Sequence, residues 1–341
     1  MAEPRDPVED LRRIAFLLER AHESTYRVRA FRTAAAALRG RGIDELTHLA
    51  ETGELRRVRG VGEVTARCVQ ESLHGEEPVY LRRLRATADT PLDEAAAALR
   101  RAIRGDCHSH TDASDGGSPL AEMVETARAL GHEYLVITDH SPRLLVANGL
   151  SPARLRAQIE QIAELNAQLA GTGFRVLTGI EVDINEDGSL DQEEELLTQL
   201  DVVVASVHSR LRAPRAQMTE RMLAAIANPL VDVLGHCTGR IVTGNRTRPE
   251  SQFDAEAVFA ACAAHGVAVE INCRPERLDP PKRLLRLAVE AGCWFTIDTD
   301  AHAPGQLDWL DYGCSRAAAC GVPVDRVLNT RGAEELLALV A

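Results

Sequence analysis

Tyr134-Leu135-Val136-Ile137-Thr138-Asp139-His140 is a short β-rich run that closes on a carboxylate and an imidazole. The same pattern recurs through the second two-thirds of the chain. Further runs end in Asp106-Cys107-His108-Ser109-His110, Glu181, His208, His236, Glu270-Ile271-Asn272 and Asp300-Ala301-His302. From Arg104 onward, β-rich runs at 134–138, 175–180, 202–207, 231–234, 267–271 and 294–297 alternate with helical stretches at 119–130, 152–169, 191–200, 217–227, 254–265 and 280–291. Strand and helix in regular alternation build a parallel sheet. Seven such units in about 235 residues predict a closed or distorted barrel rather than an open, doubly wound sheet. No glycine-rich nucleotide fingerprint follows any strand, which counts against a dinucleotide fold. A parallel barrel carries its active site where its strands end. Ligands spread over nearly 200 positions can therefore converge on one mouth.

The residue types at those ends are those of a metal hydrolase. His108 and His110 are two apart, so on an extended strand both rings face the same way. Two imidazoles and a nearby carboxylate are a common set for zinc, manganese or iron. Asp115 sits in a turn able to fold back to the same place, Glu181 closes the third strand where it can bridge two ions, and His208, His236, Asp300 and His302 supply the rest. A lone histidine at a strand end is more often exposed or hydrogen-bonded than a ligand. The coincidence of so many at strand ends argues otherwise. His22, His48, His74, His132 and His265 fall in helical or loop stretches and carry no assigned chemistry.

Charge divides the chain. Residues 1–104 hold 19 arginines against 17 acidic residues, whereas 105–341 hold 20 basic against 34 acidic, net −14. An acidic catalytic half suits several carboxylates facing divalent cations, and the local arginine clusters of the first part can meet phosphate. The eight cysteines form no C-x-x-C pair, several sit inside apolar runs, and they read as small buried hydrophobes of a reducing compartment. Cys107, Cys237 and Cys273 lie beside the motif residues. No run is long enough to span a bilayer, and the acidic N-terminus does not read as a signal peptide, so a cytoplasmic location is expected.

The first hundred residues read as all-helical. Asp6-Pro7-Val8-Glu9 offers an N-cap, a proline at N1 and an acidic N3, followed by Leu11, Ile14, Leu17 and Leu18 at helical spacing. A second amphipathic helix runs from Tyr26 to Leu38, and 55–66 give a short helix, a Gly-x-Gly hairpin and a new helix. The Gly60–Gly62 hairpin bares N–H groups at a helix start, a seat for a nucleic-acid phosphate. Arg56, Arg57, Arg59 and Arg67 would surround it.

The motifs Asp106-Cys107-His108-Ser109-His110, Thr138-Asp139-His140, Gly179-Ile180-Glu181-Val182-Asp183, Ser206-Val207-His208, Gly235-His236 and Thr299-Asp300-Ala301-His302 resemble those of the polymerase-and-histidinol-phosphatase (PHP) superfamily over about residues 104–335. Thr138-Asp139-His140-Ser141 with Ala147-Asn148-Gly149-Leu150-Ser151, His236-Cys237-Thr238-Gly239-Arg240 and Glu270-Ile271-Asn272 with Arg277-Leu278-Asp279 are similar to the PHP domain of bacterial family X DNA polymerases. Ile14–Glu19, Tyr26–Arg32 and Val58–Gly62 resemble the small helical domain that opens those polymerases. The resemblance implies a distorted (β/α)7 barrel with two to three divalent ions, zinc, manganese or iron. His108 and His110 would bind the first with Glu181 and Asp300. Glu181 would bridge to a second held by His208 and His236, and Asp115, His140 and His302 would hold a third. Cys237 stands where the family often has proline and Thr299 where it often has serine, and neither removes a ligand.

The implied organisation is a helix-hairpin-helix domain over 1–87, a linker over 88–103 and the PHP domain over 104–341. About 20 residues between helices and barrel leave no room for a polymerase palm, and the absence of lysine from 1–104 leaves no side-chain amine for a Schiff-base lyase step. The expected activity is metal-dependent phosphoester hydrolysis on DNA ends or gaps, as a 3′ phosphatase or 3′–5′ exonuclease, by hydroxide held between two metals. Arg240 and Arg277 are expected to grip substrate phosphate. Asp183 or His302 is expected to assist proton transfer, and the sequence does not choose between them. The alternative is a small-molecule phosphatase of the histidinol-phosphate type.

Overall fold

Seven parallel strands pair strictly in chain order: β1 (Gly105–Asp106), β2 (Tyr134–Ile137), β3 (Arg175–Asp183), β4 (Val202–Ser206), β5 (Val233–Leu234), β6 (Ala268–Asn272) and β7 (Phe295–Asp298). They belong to a computed structural model that describes residues 3–87, 92–244 and 247–340. The chain divides into two units, Met1–Pro91 and Leu92–Ala341.

In the first unit, α1 (Pro7–Arg20), α2 (Thr25–Leu38), α3 (Ile43–Glu51), α4 (Glu63–Leu73) and α5 (Val79–Thr87) surround Leu11, Ile14, Leu18, Phe31, Leu38, Leu46, Leu55, Val69 and Leu81, all buried. Asp6 caps α1 as its sequence predicts, accepting from the Val8 N–H at 2.8 Å and the Glu9 N–H at 3.2 Å. Two buried carboxylates are paired rather than bare. Asp10 accepts from Arg5 and from the Ser72 hydroxyl, and Glu19 takes a two-pronged bond from Arg32 at 2.9 and 2.7 Å.

In the second unit, α6 (Glu94–Ala102), α7 (Leu120–Ala129), α8 (Pro152–Gln168), α9 (Glu194–Leu197), α10 (Arg215–Ile226), α11 (Ala255–His265), α12 (Lys282–Glu290), α13 (Leu310–Ala319) and α14 (Ala333–Val340) accompany the strands. This is the expected distorted (β/α)7 barrel. The stretch read as a linker, 88–103, contains helix α6, which packs on α13, while 88–91 lie outside the described residues. The helix expected at 191–200 shrinks to the single turn α9. The first residue of that stretch is held instead by the end of β3, the Asp191 N–H donating to Asp183 O at 3.0 Å, just after an Asp187-Gly188 turn closed by an Ile184–Leu190 bridge, in which Gly188 has φ +85°.

A seven-stranded barrel lacks one strand at the β1–β7 seam, and two devices close it. At the mouth, Ser109 pairs with Ala301 and the His110 N–H donates to the Ala301 carbonyl at 2.8 Å. Lower down, the buried Asn329 carboxamide acts as a surrogate strand. It donates to Gly105 O at 3.0 Å and Ile297 O at 2.7 Å and accepts from the Ile297 N–H at 3.1 Å.

A candidate metal centre at the mouth of the barrel

Each strand end delivers one or two polar side chains into the same buried space. His108 and His110 follow β1 and both are fully buried, with ring centroids 5.1 Å apart. Asp106 fixes their backbone by accepting from the His108 N–H at 3.1 Å and the Thr299 N–H at 3.2 Å, tying β1 to the end of β7. Asp139 folds the next loop inward by accepting from the Thr111 N–H at 2.8 Å, the Thr111 hydroxyl at 2.6 Å, Gln158 Nε2 at 2.6 Å and the Ser114 hydroxyl. That brings Asp115 Oδ1 to 3.4 Å from His140 Nε2 and 3.3 Å from His302 Nε2. Only glycine fits at 149, where a Cβ would lie 1.9 Å from Ser141 O, so the loop after His140 can press against the strand end.

Glu181 is the hub. Its Oε2 lies 2.9 Å from His140 Nδ1, 3.4 Å from His108 Nε2 and 3.6 Å from His110 Nε2. Its Oε1 lies 2.7 Å from His236 Nε2 and 3.2 Å from His208 Nε2. Asp300 Oδ1 faces His110 Nε2 at 3.4 Å and His108 Nε2 at 3.9 Å. Three overlapping groups have ligand atoms close enough to hold a metal ion: His108, His110 and Asp300; His140, Glu181 and His208; and His110, Asp115, His140 and His302. Buried polar atoms are normally bonded, yet His108 Nε2, His110 Nε2, His140 Nδ1, His208 Nε2 and Glu181 Oε2 have no hydrogen-bond partner here. Imidazole nitrogens and carboxylate oxygens that converge in a buried space with no hydrogen-bond partners suit divalent cations, so the donor set fits the ions the sequence implies.

The electrostatics agree. Burial works against the charged form of Glu181, but His208, His108, His140 and His236 outweigh it and hold the carboxyl well below its usual range. Asp300 is likewise held low despite burial, by Arg274, His108, His110 and Arg277. Burial, with His302 and His140 adding to it, keeps His110 neutral, the form that ligates metal. Burial also opposes protonation of His108, but Glu270, Glu181 and Asp300 reverse the balance and raise it.

All nine residues read from the sequence as ligands meet in this space. The other expectations divide. Asp183 Oδ1 accepts from His208 Nδ1 and so orients that ring. Arg277 sits at the site, with Nε 3.4 Å from Asp300 Oδ2 and a buried, unpartnered Nη1. Arg240 differs from expectation: its guanidinium donates to Arg277 O at 2.9 Å and to Leu278 O, bracing the loop that carries Arg277. Two further residues contribute without a role expected from the sequence. Glu270 Oε1 bonds His108 Nδ1 at 2.6 Å, and Arg274 Nη1 lies 2.9 Å from His302 Nδ1. The recurrence of acids at strand ends is the available signal for Glu270, and Arg274 has none. Cys107, Cys237 and Cys273 are buried and burial pushes each thiol well up, so none offers a thiolate.

In the first unit the hairpin forms where expected. Gly60 has φ +99°, a Cβ there would lie 2.8 Å from Thr33 Cγ2, and Gly62 immediately precedes α4. The hairpin's N–H groups are not bare as expected, since the Gly62 N–H bonds Thr65 Oγ1 at 2.9 Å and the Val61 N–H bonds Val58 O at 3.0 Å, while Arg56, Arg57, Arg59 and Arg67 are exposed. Arg57 pairs with Glu54, and Arg67 approaches Glu63 at 3.6 Å.

Comparison with known proteins agrees with both halves. The PHP domain model matches residues 106–274, and a helix-hairpin-helix domain model matches residues 4–77. The chain is 37% identical to DNA polymerase/3′-5′ exonuclease PolX of Bacillus subtilis over 70% of its own length, but spans only 41% of that protein. It is 31% identical to a "Probable phosphatase" of Edwardsiella ictaluri, covering 66% of this chain and 89% of the relative. A solved histidinol phosphate phosphatase from Lactococcus lactis, complexed with zinc, L-histidinol and phosphate, is 19% identical with a TM-score of 0.47, covering 63% of this chain and 92% of that one. With ligands, barrel and sequence in agreement, the chain belongs to the PHP family of metal-dependent phosphoester hydrolases.

Proposed function

We propose that this hydrolase processes DNA ends, removing a 3′ phosphate or 3′-terminal nucleotides. The observation that carries the proposal is the pairing, in one chain, of a buried phosphoesterase centre with a helix-hairpin-helix unit whose exposed arginines suit phosphate. The similarity to an exonuclease-bearing polymerase supports the same reading. In the cell we place it in the cytoplasm, in a repair context. Among the described residues no helix is long and apolar enough to cross a membrane. No polymerase activity is proposed, since 88–103 between helices and barrel is too short for a palm.

His108, His110, Glu181 and Asp300 would hold one ion, Glu181, His208 and His236 a second, and Asp115, His140 and His302 a third. Zinc, manganese and iron all suit imidazole and carboxylate donors. Bound divalent cations supply Lewis acidity and lower the pKa of water. The chain's own residues do the rest. Glu270 and Asp183 lock the His108 and His208 rings by accepting from Nδ1. The unpartnered Nη1 of Arg277 is positioned to donate to a phosphoryl oxygen, a role the sequence suggests for Arg240 as well. Its partial burial strengthens that bond by excluding water. Arg240 keeps the Arg277 loop in place. Asp183, engaged by His208, orients that ring, and His302 is the proton-transfer candidate while the third ion is absent. Arg57, Arg59 and Arg67 around Gly60 and Gly62 would hold the DNA backbone.

The test is incubation of the protein and its His108→Ala variant with Mn²⁺ on end-labelled DNA bearing a 3′ phosphate and, separately, on histidinol phosphate. Metal-dependent turnover of the DNA that the variant loses is the expected result. Turnover of histidinol phosphate alone would replace DNA ends with a small phosphate ester as substrate.

A further inference from the structure

Arg274 lies in the loop after β6 and is aimed with unusual care. Glu276 Oε1 accepts from its Nε at 3.0 Å and its Nη2 at 2.9 Å. That fork fixes the plane of the guanidinium and turns Nη1 toward the barrel mouth. Nη1 lies 2.9 Å from His302 Nδ1, 3.2 Å from Asp300 O and 3.4 Å from Asp300 Oδ1.

A guanidinium can only donate. A bond from Arg274 to His302 therefore uses the Nδ1 lone pair and leaves the proton of a neutral ring on Nε2, the nitrogen 3.3 Å from Asp115 Oδ1. Ligation through Nε2 needs the opposite tautomer, with a proton on Nδ1. An acceptor for that proton is already present, since Asp300 O lies 2.9 Å from His302 Nδ1. Two partners with incompatible demands thus compete for one nitrogen. Arg274 also brings a positive charge beside a group whose only carboxylate, Asp115, is about one-third exposed. The other groups are built the opposite way: His108 Nδ1 and His208 Nδ1 each face a carboxylate, Glu270 and Asp183, which leaves Nε2 free to ligate. Arg274 and Arg277 do touch Asp300, but a carboxylate has lone pairs enough to serve a guanidinium and a cation together.

We propose that Arg274 makes the Asp115–His140–His302 group the weak, exchangeable metal site of the centre, filled only when the guanidinium releases His302. The inference rests on the reading of the mouth as a three-ion centre. It makes the third ion a quantity that varies with metal supply, while the Glu181-centred ions stay.

The metal-free full-length protein is titrated with Mn²⁺ by calorimetry, and the ions bound per chain are counted by native mass spectrometry. The wild type is expected to take two ions tightly and a third at least about tenfold more weakly. Arg274→Met, which keeps length and loses charge and donors, should tighten the third ion about tenfold and leave the first two within about threefold. His302→Ala should abolish the third alone. If Arg274→Met does not fold by circular dichroism, Arg274→Leu, which also lacks charge and donors, carries the same expectation. Three ions of equal affinity in the wild type, or a third ion indifferent to Arg274, would overturn the proposal while leaving the metal centre intact. No ion bound by any form would remove the metal-centre reading and this inference with it.

Discussion

Glu270 Oε1 lies 2.6 Å from His108 Nδ1, with neither side chain reaching solvent, and its other oxygen accepts from the His236 backbone N–H. One carboxylate thus orients a ligand of one metal group and anchors the loop carrying a ligand of another. Such partners of ligating histidines typically change metal affinity or activity 10–100-fold when removed. Glu270→Gln cannot reproduce the arrangement, because an amide group would have to face either the His236 N–H or His108 with a donor. The variant should retain its fold by circular dichroism, bind Mn²⁺ about 10–100-fold more weakly and lose turnover in step. Unchanged Mn²⁺ affinity would mean that His108 is oriented by packing alone.

Asn329 makes a second prediction. Its carboxamide satisfies Gly105 O, Ile297 O and the Ile297 N–H across the seam where an eighth strand would stand. Asn329→Ala leaves these buried groups unpaired and should lower stability by about 3 kcal/mol, taking each lost bond at about 1 kcal/mol. Asn329→Asp should be no better, since a carboxylate cannot donate to two carbonyls. Both are read as shifts in the urea midpoint at unchanged slope. A shift under about 0.5 kcal/mol would show that water replaces the carboxamide.

These two residues also mark what the sequence conveys. Strand ends and their ligands are legible because barrel geometry turns a one-dimensional pattern into convergence: whatever closes a parallel strand faces the mouth. Glu181 and Asp300 follow from that rule alone. Glu270 follows it too, but its alternation with buried neighbours in β6 does not distinguish a ligand from a residue behind one. Arg240 and Arg274 show the stronger limit. Spacing fixes where a backbone goes, whereas a long side chain can turn toward phosphate, a carbonyl or a ring, and only three-dimensional neighbours select among these. Asn329 is invisible in the sequence because its partners lie 32 and 224 positions away. Helix α9 is shorter than its sequence suggests because an acidic, leucine-bearing segment after a turn looks amphipathic before the turn's bridge is known.

The helix-hairpin-helix unit gives a prediction in salt. Arg59 and Arg67 are exposed beside the Gly60 turn, where they suit backbone phosphate. Replacing both with alanine should weaken binding of the full-length protein to DNA of any sequence. It should also reduce the dependence of log affinity on log salt by about one unit for each phosphate no longer neutralised. Fluorescence anisotropy on a gapped duplex between about 50 and 200 mM salt reads both effects. An unchanged slope would place the phosphate-binding arginines elsewhere.

Asp232 sits away from the metal centre, at the start of β5, where its carboxylate accepts from the Val203 N–H at 2.7 Å. Burial pushes its pKa up to about 7, only partly offset by that bond. Between the unfolded carboxyl value near 4 and about 7, the folded state therefore holds a proton that the unfolded state has released. Stability from this group is fully present below about pH 4 and declines as pH rises through 7. Asp232→Asn mimics the protonated form and keeps an acceptor for Val203. It should match the wild type near pH 4–5 and exceed it at pH 8 by on the order of 1–2 kcal/mol, a figure kept small because the side chain is only half-buried. Urea midpoints at the two pH values provide the measurement. An equal gain at both would mean that the substitution acts through packing, and no gain at pH 8 would mean that Asp232 ionises in the fold without cost.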